Sequence, residues 1–168
     1  MLFATGLRKN SDHTCPPHRR DRDLSHVSDP LATIREAARV ARAGGMLGFF
    51  DGDFASLTFG NADAAVGRAY DEAVIGAVFT NPRVMRQMPL LLRVAGLELV
   101  AFRPYVIAEA GKAEYWLPAI NSFRKLVPQG GDLSEPEINA WADGLMLDST
   151  RGDFFGAANY YAYVAGRP

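Results

Sequence analysis

The chain after residue 24 alternates between helical and extended spacing of its hydrophobic positions. The pattern predicts helices at about 30–43, 62–77, 82–95, 112–127 and 134–147, and strands at about 46–50, 97–107 and 155–165. Two successive helix-to-strand units of this kind indicate an α/β fold. The last strand follows its helix after only a short polar segment, so periodicity leaves open whether that strand is parallel or antiparallel to its neighbours.

The first helix and the strand after it have the clearest signals. Asp29 can cap the helix, and Gly44 and Gly45 can end it because glycine tolerates the left-handed conformation of a helix C-terminus. The continuous apolar run Met46–Phe50 then predicts a buried parallel strand. Farther along, Asn81 is the expected cap of the third helix, and Ser134–Glu137 is a capping-box signal for the fifth.

Two carboxylates, Asp51 and Asp53, follow that apolar run. In open α/β sheets the carboxyl ends of the strands line the ligand crevice. Two close carboxylates can raise the pKa of one of them, so this pair could orient an acceptor or take its proton. The alternative is turn formation, because Asp-Gly-Asp is a favourable turn sequence. Two carboxylates alone are poor grounds for a metal site.

Composition indicates one globular domain and gives no sign of a nucleic-acid-binding or membrane-spanning protein. The 168 residues are 48% hydrophobic and 22% charged, which is typical of one globular domain. A net charge of −1 gives no reason to expect nucleic acid or an anionic membrane as a partner. The single cysteine, Cys15, fits a reducing compartment, and no apolar run is long enough for a membrane span. We therefore expect a cytoplasmic protein.

Residues 1–23 are polar and carry no periodicity, which predicts a disordered leader unrelated to the rest. His13, Cys15 and His18 could supply three zinc ligands, but no fourth ligand is nearby. The predicted domain therefore covers residues 24–168.

The ordered run from Leu24 through Pro30, Leu31–Val40 and Gly44–Gly45 to Asp51 resembles the second half of a class I S-adenosylmethionine-dependent methyltransferase. The resemblance is to the ubiquinone/menaquinone-biosynthesis type and covers about residues 24–168. It implies a Rossmann-like methyltransferase sheet that lacks its first strands and has an antiparallel last strand. It also implies S-adenosylmethionine as the cofactor and a small molecule as the methyl acceptor.

The resemblance also implies roles for particular residues. The residues expected at the cofactor are Leu24, Ser25 and His26, and those expected in catalysis are His26, Asp51 and Asp53. His26 would contact the cofactor or acceptor, or act as a general base; the alternative is a loop histidine that binds nearby backbone. Tyr115 and Trp116 fall in the segment that covers the site in related enzymes and would line the acceptor pocket.

Other aromatic and basic residues are weaker candidates for the functional site. Tyr160, Tyr161 and Tyr163 could line the same pocket, although aromatic residues at such spacing are more often core or subunit interface. The basic residues of the third helix are expected to form a solvated face; they are Arg83, Arg86 and Arg93.

The sequence departs from the family where the cofactor should be held. It has no G-x-G run, and the segment before Leu24 is too short for the earlier strands of the sheet. Arg19–Asp23 is charged where an apolar fourth strand should be. We therefore expect a truncated or frameshifted gene, or a wrongly assigned start.

Two functions follow as hypotheses. The first is methyl transfer to a small molecule, of which this chain supplies the carboxyl-terminal half. The second is a non-catalytic remnant, whose exposed sheet edge would pair with another chain or with a second copy as a homodimer. An oxidoreductase of related fold is disfavoured, because the dinucleotide-binding fingerprint is missing.

Overall fold

Five helices and four strands make up the part of the chain that the computed structural model describes, which is residues 2–5, 24–130 and 132–168. The strands are β1 (Leu2–Thr5), β2 (Met46–Phe59), β3 (Glu98–Gly111) and β4 (Phe154–Gly166). The helices are α1 (Pro30–Val40), α2 (Ala64–Val78), α3 (Val84–Val94), α4 (Leu117–Gly130) and α5 (Glu135–Arg151). The predicted α/β class is confirmed.

The sheet has the order β1-β2-β4-β3. Strand β4 lies between β2 and β3 and is antiparallel to both, so β2 and β3 run in the same direction. The antiparallel last strand that the resemblance implied is therefore present. The prediction for β2 was wrong in two respects, because both of its hydrogen-bonded neighbours are antiparallel and it continues to Phe59. It continues because Leu57 and Phe59 bury their side chains beyond an irregularity in the pairing.

Residues 2–5 depart from the predicted disordered leader. They pair with β2 in an antiparallel register that sets Leu2 opposite Phe49 and Thr5 opposite Met46. The pairing is possible because β2 would otherwise leave a row of backbone groups unpaired on this edge. The rest of the leader, including the candidate zinc ligands His13, Cys15 and His18, lies outside the described residues.

Helices cover both faces of the sheet and form two hydrophobic cores. One core packs α1 and α3 on the sheet and includes Ile34, Phe49, Met85, Met88 and Leu92. The other packs α2, α4 and α5 on the opposite face and includes Phe59, Ile120, Val127, Ile138 and Trp141. Because successive side chains of a strand point to opposite faces, β4 supplies Tyr163 to the first core and Tyr160 to the second.

Two of the four predicted helix-end signals are confirmed, and α1 ends at Val40 rather than at Gly44 and Gly45 as predicted. Asp29 Oδ1 accepts a hydrogen bond from the backbone N–H of Ala32 at 2.9 Å, and the capping box of Ser134 and Glu137 is present. The prediction for Asn81 was wrong, because α3 begins at Val84 and the Asn81 side chain donates instead to the carbonyl of Val27. Among the described helices, none is long and apolar enough to cross a membrane.

Two leucines of α3 provide a matched test of the first core. Leu92 is 0% exposed and Leu90 is 52% exposed. We expect Leu92→Ala to lower the free energy of unfolding by about 3 to 5 kcal/mol, because the cavity is not refilled. Leu90→Ala should change it by no more than about 0.5 kcal/mol. Urea denaturation followed by circular dichroism measures both, and equal effects would contradict this packing of α3.

Candidate functional site

The loop before α1 is fastened to the middle of β2 by Asp51. The carboxylate of Asp51 accepts the backbone N–H of Ser25 at 3.0 Å and that of Gly52 at 2.7 Å. The carbonyl of Ser25 accepts the backbone N–H of Asn81 at 2.8 Å. The loop is therefore held from two sides, by the strand and by the segment that leads into α3.

This attachment leaves the side chain of one predicted cofactor residue at the surface. Leu24 and Ser25 are buried, with 6% and 0% exposure, and Leu24 belongs to the core between α1, α3 and the sheet. The hydroxyl of Ser25 is buried and has no hydrogen-bond partner among the residues that the structure describes. His26 is exposed, so of the predicted group it alone can offer its side chain to a ligand in this conformation.

Five aromatic side chains are in contact one after another and are here named the aromatic surface. They are His26, Phe79, Phe54, Tyr160 and Tyr115. The ring centroids of His26 and Phe79 are 5.1 Å apart, and those of Phe79 and Phe54 are 3.9 Å apart in a stacked arrangement. Phe54 meets Tyr160 edge-on at 5.9 Å. The hydroxyl oxygens of Tyr160 and Tyr115 are 3.3 Å apart. The predicted residues His26 and Tyr115 are thus joined by Phe79 and Phe54, which the sequence did not indicate, and by Tyr160, which it indicated only weakly.

A glycine in β2 makes room for this arrangement. A Cβ on Gly52 would lie 2.7 Å from the ring of Phe54, so a larger residue would displace that ring. Gly52 pairs with Tyr160 across the sheet, which brings Phe54 and Tyr160 to the same place. The two ends of the surface are open, because His26 and Tyr115 are exposed, whereas Phe79 and Tyr160 are 8% and 9% exposed. A ligand could reach the hydroxyl of Tyr115 at one end and the imidazole of His26 at the other, while the rings between them are largely buried.

Asp53 belongs to a different arrangement. It is 0% exposed, and both carboxylate oxygens lie 2.8 Å from Nε of Arg86, with an ion pair of 2.8 Å to the terminal nitrogen. The hydroxyl of Tyr161 is 3.5 Å away. Because strand residues alternate, Asp53 points to the face opposite Tyr160. The carboxylate pair predicted at the acceptor therefore holds other elements together. Arg86 is 43% exposed, so it lies on the predicted solvated face while its guanidinium pairs with Asp53.

Glu109 positions the segment that carries Tyr115. Its carboxylate accepts the backbone N–H groups of Glu114, Tyr115 and Trp116 at 2.6–3.1 Å. Partial burial acts to raise the pKa of Glu109, but these three hydrogen bonds outweigh it and hold the pKa below its usual value. The turn they stabilise also explains why α4 begins at Leu117 rather than at residue 112 as predicted.

Trp116, which was predicted to line the acceptor pocket, is a core residue. It is 2% exposed and meets Phe59 edge-on, with the ring centroids 5.8 Å apart. The resemblance placed Tyr115 and Trp116 in one covering segment, but adjacent residues before a helix point in different directions, so only Tyr115 is exposed. Tyr163 is also buried, and its hydroxyl donates to the carbonyl of Met85 at 2.8 Å.

The described residues do not by themselves fit the whole of S-adenosylmethionine. Asp51 and Asp53 are 5% and 0% exposed and bind other parts of the chain, so in this conformation neither can reach a ribose. The described part of the chain also has no glycine-rich loop for the methionine end of the cofactor. No group of three metal-ligating side chains is present within it either.

Comparison with known proteins bears on the fold. No protein-family model matches the chain. An uncharacterized 37.1 kDa protein in transposon TN4556 of Streptomyces fradiae is 34% identical over 149 residues, which are 88% of this chain and 42% of that protein. The chain therefore spans less than half the length of this relative.

Among solved structures, a "putative methyltransferase" of Bacillus halodurans C-125 superposes with a TM-score of 0.51 and 13% identity. The match covers 86% of this chain and 61% of that one. The fold is an α/β methyltransferase-like fold. At this identity the match shows the fold alone, and the resemblance to the ubiquinone/menaquinone-biosynthesis type stays a prediction.

Removing Arg86 tests the role of Asp53. We expect Arg86→Ala to lower the free energy of unfolding by about 2 to 4 kcal/mol, because it leaves the buried carboxylate of Asp53 without its cation. Solvent reaches the partly exposed site of Arg86 and limits the loss. Arg86→Lys should recover part of the loss, since lysine cannot bind in the same two-pronged way. Arg83→Ala, an exposed neighbour, is the control. Urea denaturation distinguishes them, and equal stability of Arg86→Ala and Arg83→Ala would contradict the structural role.

Acid should release the Tyr115 segment through Glu109. A carboxyl group whose pKa is lowered on folding stabilises the fold above its unfolded pKa and loses that contribution as pH falls through the folded pKa. We expect tryptophan fluorescence to change below pH of about 4, where glutamate becomes protonated. Glu109→Gln should show the acid-like spectrum at neutral pH, and Glu114→Gln should behave as wild type. A pH response that survives in Glu109→Gln would refute this assignment.

Proposed function

We propose that this chain contributes the acceptor-binding part of an S-adenosylmethionine-dependent methyltransferase that acts on a small molecule. The observation that carries the proposal is the aromatic surface, which joins the loop of His26 to Tyr115 on a methyltransferase-like sheet. The cofactor site would be completed by residues outside the described ones. The methyl donor supplies the one-carbon group, and the described residues bind and orient the acceptor.

His26 and Tyr115 have different roles in this proposal. Methyl transfer depends mainly on positioning. The partly exposed ring of Phe54 is held rigid by its stacking on the buried Phe79, and it can support an acceptor ring. The paired hydroxyls of Tyr115 and Tyr160 would bind a polar substituent of that ring. His26 is exposed at the other end and can accept a proton from the acceptor.

A specific observation favours the second candidate, a non-catalytic remnant that pairs with another chain. The outer strand β3 exposes large apolar side chains along a 14-residue edge, including Val100, Phe102, Tyr105 and Val106. An exposed apolar edge of this length is a site for association. Pro104 lies within it and lacks an N–H group, which limits direct strand pairing there.

Cofactor binding and methyl transfer together separate these functions. We expect the full chain to bind small aromatic alcohols saturably in calorimetric titration. Where it also holds S-adenosylmethionine, it should transfer label from the methyl-labelled cofactor to a pool of these alcohols. His26→Ala should reduce the transfer rate by about 100-fold or more if His26 is the base. Tyr115→Phe should weaken acceptor use with little effect on cofactor binding, because it removes one hydroxyl.

The exposed Lys125 on α4 provides the control, since Lys125→Ala should leave both measurements unchanged. A folded chain that gives no heat with S-adenosylmethionine or with the aromatic alcohols, and no label transfer, would overturn the methyltransferase proposal. Concentration-dependent association of that inactive chain, measured by analytical ultracentrifugation, would support the remnant instead.

A further inference from the structure

An open pocket lies apart from the aromatic surface, between the end of β2 and the first turns of α2, and is here named the Arg68–Asp71 cavity. It has a volume of about 430 Å³ and is lined by Thr58, Phe59, Gly60, Asn61, Arg68 and Asp71, among others. This volume falls within the range of pockets that bind small molecules. None of the residues considered for methyl transfer lines it.

One carboxylate forms a fixed part of the wall. Asp71 Oδ2 accepts the hydroxyl of Thr58 at 2.7 Å, and Oδ1 accepts the backbone N–H of Phe59 at 3.2 Å. A carboxylate has about four acceptor positions, so two remain for a ligand. Burial raises the pKa of Asp71, while the bonds from Thr58 and Phe59 oppose the increase. A bound cationic group would relieve the cost of holding this charge away from water.

The positively charged side chain of Arg68 lies one helical turn from Asp71 on α2. Arg68 and Asp71 are three residues apart, a spacing that places side chains on the same face. They form no ion pair with each other, and Arg68 has no partner among the residues that the structure describes. Asn61 uses its Oδ1 to accept the N–H of Asp63 at 2.9 Å, which leaves its amide N–H groups to donate.

The charges decide what could occupy this cavity. A simple anion would meet the carboxylate of Asp71, and a simple cation would meet the guanidinium of Arg68. A ligand that carries both charges on neighbouring atoms meets neither repulsion. We propose that this cavity binds a free α-amino acid as its zwitterion, with the carboxylate at Arg68 and Asn61 and the ammonium group at Asp71. Phe59 and Ala64 provide apolar surface for a small side chain.

The proposal is tested by titrating the full chain with glycine, L-alanine and L-valine, using acetate and ethylamine as probes that carry one charge each. Binding is followed by calorimetry and by the amide NMR signals of Gly60, Asn61 and Gly67. We expect saturable binding of the amino acids, shifts confined to these signals, and affinities about tenfold or more lower for the single-charge probes. That ratio corresponds to the loss of one charge-assisted hydrogen bond.

Variants distinguish the site from general surface binding. Arg68→Gln removes an exposed charge without touching the core and should weaken L-alanine binding about tenfold or more. Asp71→Asn keeps one oxygen to accept the N–H of Phe59, and its NH2 group can donate to the hydroxyl of Thr58, so it should have a similar effect. Arg93→Gln, an exposed arginine of α3, should have none. Acetate binding as tightly as L-alanine would overturn the proposal in favour of an anion site. Absence of saturable binding to the folded chain would overturn it outright, whatever the result with S-adenosylmethionine.

Discussion

Strand β4 holds the molecule together, because it hydrogen-bonds to β2 along one edge and to β3 along the other. Paired residues are about 100 positions apart between β2 and β4 and about 50 apart between β3 and β4. The sheet is therefore complete only when the end of the chain has folded into it. Its alternating side chains also reach both cores, with Tyr160 on one face and Tyr163 on the other. The two helical layers therefore depend on a single strand for their common support.

Two buried carboxylates fasten the elements around this sheet. Asp51 binds the backbone of Ser25, and Asp53 binds Arg86 of α3. Burying a charge is costly unless it is paired and hydrogen-bonded, so each carboxylate requires its partner. Both therefore position the loop of His26 and the start of α3. The exposed side chains that can meet a ligand, His26 and Tyr115, belong to the aromatic surface.

The aromatic surface and the Arg68–Asp71 cavity differ in the ligands they favour. The first is made of stacked rings with hydroxyl groups at one end, which suits a flat, weakly polar molecule. The second sets opposite charges side by side around a small volume, which suits a compact dipolar molecule. A methyltransferase-like sheet can carry both, because side chains added at the ends of its strands do not alter its pairing. The two proposals can therefore succeed or fail separately.

The sequence by itself determined the order of the elements from α1 onward and several of their ends. Asp29, Ser134 and Glu137 were predicted as caps and act as caps, because capping depends on atoms only three residues apart. His26 and Tyr115 were also named from the sequence, and both lie in the aromatic surface.

Only the tertiary structure decided which residues share a site. Phe54 and Phe79 are 25 positions apart, and Asp53 and Arg86 are 33 apart. Periodicity describes one element at a time, so it could not show that Asp53 faces Arg86 or that Trp116 turns into the core. The same reason explains why residues 2–5 were predicted to be disordered, since so short a segment forms a strand only when a neighbouring edge pairs with it.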